Sequence, residues 1–159
     1  LGRNSKRWAM LLDFSHGSPN FATETPPVGF LLNADVHFYP GAAALRARIG
    51  VTHGEPEPFT TMPFGSIDTA LQQFTVALAA DPWLRSWPAV ISSVVPSFVD
   101  GSWFVVDESG TALRAEGDSD LLWKLLGISG GYPVTVCGTW NALALTPISV
   151  FTGGQVIVL

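Results

Sequence analysis

Alternating apolar and polar residues in the first third of the chain predict two strands. Residues 32–39 and 45–51 follow a period of two, which is typical of a strand with one face on a core. Pro40 and Gly41 lie between them, so the pattern favours a hairpin. A helix over residues 45–51 also fits, because Ala, Leu and Arg are good helix formers. An apolar stretch at residues 7–14 indicates a further strand.

Turn-forming residues divide the second half of the chain into short strands. A β-branched run at residues 89–95 predicts a strand that ends at Pro96. Asp100-Gly101 between apolar residues is a strong signal for a two-residue hairpin. A second turn over residues 107–110 predicts another hairpin in series. Further short strands are predicted at residues 134–137, 143–151 and 155–159.

Two segments have the residue pattern of helices. Residues 67–78 place apolar side chains at i, i+3, i+4 and i+7, with Ser66 as the N-cap and a stop at Asp81. Residues 121–126 are predicted to form a short helix that Asp118 or Ser119 caps and that Gly127 ends. A strand at this second position also fits the residues.

These elements together predict an α+β fold with a mainly antiparallel sheet of about nine short strands and two helices. The chain has 159 residues, which is the size of one ordinary domain. We therefore expect residues 1–159 to form a single domain, as part of a larger protein or assembly.

The composition is normal in apolar residues but poor in charge. Apolar residues make up 47% of the chain, whereas charged residues make up 13%, about half the usual fraction. No apolar stretch approaches the roughly twenty residues that a spanning helix needs, so we expect no membrane insertion. The single Cys137 cannot form an internal disulfide, and a reducing, cytoplasmic setting is the expectation.

The net charge of −5 argues against a nucleic-acid partner. Such binding needs clustered Lys and Arg. Three of the eight basic residues lie within the first seven positions, and only Arg46 and Arg48 lie close together in the rest of the chain. A protein partner or self-association is the better expectation.

Candidate chemistry centres on three histidines, His16, His37 and His53. Together with an acid such as Glu55 or Glu57 they have the residue types of a metal site, but their spacings match no short ligand motif. Three unrelated histidines are the favoured interpretation. A metal-dependent hydrolase is the alternative function, and we otherwise expect no metal, no cofactor and no catalytic residue.

Other reactive residues have plainer structural interpretations. Asp13, His16 and Ser18 hold the residue types of a nucleophilic triad, but known triads draw their members from distant segments. Cys137 in an apolar strand is interpreted as a small buried hydrophobe. The glycines match no phosphate-binding fingerprint. Six tryptophans are predicted to pack in the core rather than to form a binding platform: Trp8, Trp83, Trp87, Trp103, Trp123 and Trp140.

Several strings resemble the C-terminal region of bacterial SWIM zinc-finger family proteins. They are ADPWLRSWPAVISSVVP at residues 80–96, GSWFVVDESGTALRAE at 101–116 and LLGISGGYPVTVCGTWN at 125–141, with RWAMLLDF and VHFYPGAAALRA upstream. The resemblance implies a larger protein whose upstream Cys-X-Cys and Cys-X-His zinc module contacts protein or nucleic acid. Such proteins are often encoded beside MoxR-type ATPase and von Willebrand A partners. This chain has one cysteine, so no zinc ligand carries over to it.

The leading functional hypothesis is a non-enzymatic protein-interaction or scaffold module. This hypothesis rests on the low fraction of charged residues. A chain with few charges is expected to expose a contiguous apolar patch, and such patches mark contact sites. A surface covered by Ser, Thr, Asn, Gln and Gly is the competing interpretation of the same composition.

Overall fold

The computed structural model describes residues 1–11, 28–61 and 64–159. These residues divide into two compact units, Leu1–Phe59 (unit 1) and Thr60–Leu159 (unit 2). Whether both belong to one domain, as the sequence suggests, stays a prediction. In the part of the chain described, no helix has the length and apolar character to cross a membrane.

The predicted α+β fold is confirmed. The described residues hold two helices and eleven strands, mostly antiparallel, which is two strands more than predicted. The additional strands are two residues long and pair with each other, too short to show an alternating pattern. The elements are β1 (Met10–Leu11), β2 (Phe30–Leu31), β3 (Ala34–Phe38), β4 (Arg46–Thr52), β5 (Glu57–Pro58), α1 (Ile67–Ala80), β6 (Trp87–Val99), β7 (Ser102–Val106), β8 (Ala112–Ala115), α2 (Ser119–Ser129), β9 (Val134–Trp140), β10 (Leu145–Thr152) and β11 (Gln155–Val158).

Unit 1 is built around a three-stranded sheet in the order β1-β4-β3. The predicted hairpin is confirmed, because β3 and β4 pair antiparallel with Val36 opposite Ile49. The helix considered for residues 45–51 does not form. Leu45 and Ala47 are buried while Arg46 and Arg48 are exposed, so the alternation in the sequence is the burial pattern of a strand.

Unit 2 is a six-stranded sheet in the order β11-β10-β8-β7-β6-β9, in which β10 also pairs with β9. This additional pairing closes five of the strands into a ring, and β11 extends it from β10. Both helices contact β6. The buried core includes Ile91, Val94, Val105, Val136, Leu145 and Val150 from the sheet, and Ile67, Phe74 and Leu125 from the helices.

Strand β6 is longer than the sequence indicated and passes through Pro96 instead of ending there. Pairing with β9 stops at Val94, whereas pairing with β7 continues to Val99. At Pro96 one edge of β6 is therefore unpaired, and an unpaired edge tolerates a residue without an N–H. The register shifts between Ile91 and Val94, and Ser93 takes a positive φ of 57° there.

The hairpin predicted at Asp100-Gly101 is confirmed. Val99 pairs with Ser102, and both central residues have positive φ, 49° for Asp100 and 74° for Gly101. This is the backbone of a type I′ turn, whose twist matches that of the flanking strands. The turn thus sets which side chains of β6 and β7 face each other.

Helix α1 agrees with its prediction, and α2 is longer than predicted. Ser66 caps α1 by accepting a hydrogen bond from the Thr69 backbone N–H, and Asp81 ends the helix. The predicted end of α2 at Gly127 is wrong, because α2 continues to Ser129 and ends at Gly130, whose φ of 57° is left-handed. Buried Leu122, Leu125 and Ser129 continue one packed face past Gly127.

Candidate functional site

Three aromatic rings form a contiguous surface cluster in unit 2. Phe98 and Trp103 have ring centroids 4.8 Å apart, Trp103 and Trp123 are also 4.8 Å apart in an edge-to-face arrangement, and Phe98 and Trp123 are 5.6 Å apart. These separations lie within the range in which aromatic pairs attract each other. We call Phe98, Trp103 and Trp123 the aromatic cluster.

The hairpin and α2 together bring these rings to one place. Phe98 and Trp103 lie opposite each other on β6 and β7, in the second residue pair from the Asp100-Gly101 turn. Trp123 comes from α2, where it directly follows the buried Leu122. The turn therefore aligns two rings and the packing of α2 adds the third.

The aromatic cluster is only partly covered. Phe98 is 46% exposed and Trp123 is 51% exposed, whereas Trp103 is partly buried. A large ring left half in water gives up part of the hydrophobic stabilisation that burial would supply, about 25 cal/mol for each Å². Contiguous exposed rings are therefore a candidate contact surface.

Acidic side chains lie next to the aromatic cluster in the chain. Asp100 follows Val99 in the hairpin turn, and Asp120 lies in the first turn of α2, three residues before Trp123. Residues three apart on a helix are neighbours on its surface. Lys124 directly follows Trp123, so groups of both charges adjoin the aromatic cluster in the chain.

The candidate histidines do not form a metal site in the part of the chain described. His53 Nε2 lies 3.3 Å from Asp35 Oδ1, and both side chains are about half exposed. The His37 ring lies close to the Gly50 backbone on the same small sheet. No group of three or more His, Cys, Asp or Glu side chains that could hold a metal occurs among the described residues. His16 lies outside those residues, so the metal-dependent hydrolase stays a prediction.

Of the other candidate nucleophiles, only Cys137 lies among the described residues. Asp13, His16 and Ser18 all lie outside the described residues. Cys137 lies in β9, where burial raises the pKa of its thiol to about 11, partly offset by a hydrogen bond with Ser149. A thiol with so high a pKa is protonated at neutral pH and is a weak nucleophile.

No family model, curated protein or solved structure matches this chain. The SWIM-family resemblance thus stays a prediction.

The prediction that all six tryptophans pack in the core is wrong for two of them. Trp140 is buried, but Trp123 is 51% exposed and Trp83 is 90% exposed. Neither exposure was visible in the sequence, because Trp123 lies in an apolar helical stretch and Trp83 beside an apolar helix end. The Asp100-Gly101 turn implies that Phe98 lies opposite Trp103. This pairing was the only feature of the sequence from which two of the three rings could have been placed together.

Proposed function

We propose that this chain is a non-enzymatic interaction module that contacts a protein partner, or a second copy of itself, through the aromatic cluster. The observation that carries the proposal is the half-exposed state of Phe98 and Trp123 within one contiguous group of rings. Tryptophan and other large rings contribute much of the energy of protein interfaces when a partner covers them.

Packing of the three rings against each other does not by itself explain why part of their surface is exposed. The mutual contacts of the three rings help to hold α2 on the β6–β7 hairpin, and such pairs contribute about 0.5–1.5 kcal/mol each. That role uses only the ring faces that point at each other. The faces of Phe98 and Trp123 in water add nothing to it, and they are the surface that a partner would cover.

Site-specific photo-crosslinking tests this proposal. We would introduce p-benzoylphenylalanine at Trp123 and, as the matched control, at Trp83, which is also an exposed tryptophan of unit 2 but lies outside the aromatic cluster. The full chain would be irradiated in cells that carry its native gene and as purified protein. We expect one discrete adduct at Trp123, either with a second protein or with a second copy, and none at Trp83.

Two results would contradict the proposal. One is the absence of any adduct at Trp123 in both settings, and the other is the same set of adducts from Trp83. A far-ultraviolet circular dichroism spectrum of each labelled protein is the folding control.

A further inference from the structure

The two units of the chain differ strongly in charge. Residues 1–59 carry five basic and five acidic side chains, whereas residues 60–159 carry three basic and eight acidic ones. The net charge of −5 therefore belongs wholly to unit 2. In unit 1 the local potential depends on where the charges lie, so the net charge of the chain does not exclude an anionic ligand there.

The pairing of β1 with β4 gathers the basic residues of unit 1 at one end of its sheet. β1 runs parallel to β4 with Met10 beside Arg46, so the residues before Met10 lie beyond the end of β4 that begins at Arg46. The Arg7 guanidinium carbon lies 3.8 Å from the centre of the Phe38 ring, and Phe38 pairs with Ala47 near the same end of β4.

A closed turn keeps two further basic residues near Arg7. The Gly2 backbone N–H donates to the Arg7 carbonyl at 2.8 Å, and the Lys6 backbone N–H donates to the Gly2 carbonyl at 2.9 Å. Arg3 and Lys6 belong to this turn. We call the five basic residues of unit 1 the basic end: Arg3, Lys6, Arg7, Arg46 and Arg48.

The described acidic residues of unit 1 lie toward the other end of the sheet. Asp35 lies at the start of β3, which pairs with Thr52, the last residue of β4. Glu57 belongs to the β2–β5 pair, and β2 ends three residues before β3 begins. Glu55 lies in the chain between Thr52 and Glu57. Thr52 is six residues from Arg46, about 20 Å along a strand, which is more than twice the Debye length of about 8 Å.

Two exposed arginines of β4 share a sheet face with two exposed rings of β3. Arg46 and Arg48 are two residues apart and therefore lie on one face. His37 pairs with Arg48, and the Tyr39 backbone N–H donates to the Arg46 carbonyl at 2.9 Å. Tyr39 is 48% exposed, and the other three side chains are also exposed. We call these four residues, His37, Tyr39, Arg46 and Arg48, the arginine–ring face.

One carboxylate borders the arginine–ring face. Asp35 lies two residues before His37, and a Cβ on Gly50 would lie near both side chains, so Asp35 shares the face. Its Oδ1 lies 3.3 Å from His53 Nε2, and among the described residues no ion pair joins it to an arginine. Asp35 keeps its negative charge, but the five residues of the basic end outnumber it. The other two acidic residues of unit 1, Asp13 and Glu24, lie outside the described residues.

The arginine–ring face matches the two chemical parts of a nucleotide. A guanidinium group binds phosphate with paired hydrogen bonds, and an exposed ring offers a face on which a base can stack. Each arginine of this face has an exposed ring as its cross-strand neighbour. Arg46 and Arg48 are about 6.8 Å apart along the strand, so they can contact successive phosphates of an extended chain.

We propose that the arginine–ring face binds a single-stranded nucleic acid, with its two arginines on phosphates and its two rings against bases. The rest of the basic end attracts the strand to this face. An acidic peptide or an anionic membrane would use the arginines but gains nothing from base stacking on the rings. A duplex hides the faces of its bases. This second site lies in unit 1 and does not depend on the aromatic cluster.

Fluorescence anisotropy with the full chain tests the inference. The probes are a labelled oligouridine of about ten nucleotides, its oligothymidine equivalent and a blunt duplex of the same length. At about 0.15 M salt we expect the single strands to bind with a dissociation constant of about 10–100 μM, within the range of sequence-independent binding. The duplex should bind more weakly. A plot of log association constant against log salt should have a slope of about −2 to −3, as expected for about three or four phosphate contacts.

A matched pair of arginine substitutions tests the phosphate contacts. Arg48→Gln should weaken binding about fivefold and make the salt slope shallower by about 0.7, since one phosphate contact is lost. Arg114→Gln is its control, because Arg114 is also an exposed arginine of a strand but belongs to β8 in unit 2. Both variants change the net charge equally, and Arg114→Gln should leave the affinity and the slope unchanged.

A matched pair of tyrosine substitutions tests the stacking contacts. Tyr39→Leu keeps an apolar side chain but removes the ring, so we expect about fivefold weaker binding with an unchanged salt slope. Tyr132→Leu is its control, because Tyr132 is 75% exposed and belongs to unit 2. Circular dichroism checks the fold of each variant. If Tyr39→Leu fails to fold, the salt slope of Arg48→Gln against that of Arg114→Gln still decides the question.

Several results would overturn the inference. One is that neither single strand binds, and another is that the duplex binds as tightly as they do. A third is that a unit-2 control variant weakens binding as much as its unit-1 counterpart, or that folded Tyr39→Leu has no effect. Equal competition by a peptide of about ten glutamates would assign the face to acidic proteins, and binding to phosphatidylserine vesicles without binding to the oligonucleotides would assign it to membranes. None of these results affects the photo-crosslink expected at Trp123.

Discussion

Asp107 organises the turn between β7 and β8 with a single carboxylate oxygen. Its Oδ1 accepts hydrogen bonds from the backbone N–H groups of Ser109 and Thr111, each at 2.9 Å, and from the Ser109 hydroxyl at 2.6 Å. The Ser109 hydroxyl is the main cause that lowers the pKa of Asp107 below its ordinary value of 3.8, and the backbone N–H groups add to it. Each of these bonds favours the ionised form.

The lowered pKa predicts a specific dependence of stability on pH. A group whose folded pKa is depressed adds stability above its unfolded pKa, and this stability is lost as the pH falls through the folded pKa. Asp107→Asn removes the titration, so we expect a smaller fall in stability between about pH 5 and about pH 2 than in the parent chain. Urea unfolding at several pH values measures it. Glu108→Gln, in the same turn but not a partner of Asp107, is the control. An unchanged slope in Asp107→Asn would refute the prediction.

Ala142 adopts a conformation that its side chain disfavours. It has a φ of 75°, inside a turn in which the Asn141 side-chain oxygen accepts from the N–H groups of Leu143 and Ala144. The left-handed region costs an L-residue about 1–2 kcal/mol, and glycine avoids this cost.

We therefore expect Ala142→Gly to stabilise the chain. The greater entropy of glycine in the unfolded state offsets part of this gain. The net gain is about 0.5–1 kcal/mol by thermal or urea unfolding. Ala112→Gly is the control, because Ala112 is exposed at the start of β8 and has no positive φ. It should lose about 0.5–1 kcal/mol. The same sign of change in both variants would count against this account.

At the scale of an element, α2 contains two glycines with opposite roles. Gly127 lies inside the helix, and apart from its chain neighbours and the backbone of its own helix a Cβ there would meet no atom within 4 Å. Gly130 is the C-cap with a φ of 57°, and its backbone N–H donates to the Leu126 carbonyl. A helix interior disfavours glycine, whereas a left-handed cap favours it.

Alanine at these two positions should change stability in opposite directions. Gly127→Ala is expected to stabilise the chain by about 0.5–1 kcal/mol, because alanine is the better helix former. Gly130→Ala is expected to destabilise it by about 1 kcal/mol, because alanine disfavours the left-handed conformation. Each variant is the control for the other in thermal unfolding. If α2 ended at Gly127, as its sequence suggests, Gly127→Ala would be the destabilising one.

At the scale of the whole molecule, closure of the unit-2 ring depends on the close approach of β9 and β10. Gly138 pairs with Ala89 on one side and with Pro147 on the other. A Cβ at Gly138 would collide with the Thr146 carbonyl and lie 3.1 Å from Pro147 Cα. These are backbone atoms, so the strands would have to separate to accept any side chain.

Gly138→Ala is therefore expected to cost about 1–3 kcal/mol or more, the usual range for overpacking. Urea unfolding measures the loss, and amide hydrogen exchange in β9 and β10 shows where it acts. Gly127→Ala is the control for adding a methyl group where there is space. Unchanged exchange in β10 would show that ring closure does not depend on this glycine.

The division into two units makes a prediction about independent folding. The buried hydrophobic cluster lies wholly within residues 67–150, so unit 2 has a core of its own. We expect a segment of residues 60–159 to fold alone, with dispersed amide signals and a cooperative thermal transition. A disordered segment would instead support the single domain of 159 residues that the sequence predicts.

The sequence by itself determined the elements whose causes are local. The period of two predicted β3 and β4, Ser66 the start of α1, and Asp100-Gly101 the β6–β7 hairpin, because alternation, capping and turn geometry each depend on a few neighbouring residues. The same local signals predicted an α+β fold. A two-residue turn at Asp100-Gly101 also implies the pairing of Phe98 with Trp103 that the structure shows.

Only the tertiary structure decided features that depend on distant contacts. The end of α2 depends on a packed face that continues to Ser129. The passage of β6 through Pro96 depends on where its pairing with β9 stops, and the ring depends on the pairing of β9 with β10. The aromatic cluster needs Trp123 beside Phe98, twenty-five residues earlier. An apolar pattern shows that a residue favours burial, but which rings stay in water is set by what packs over them.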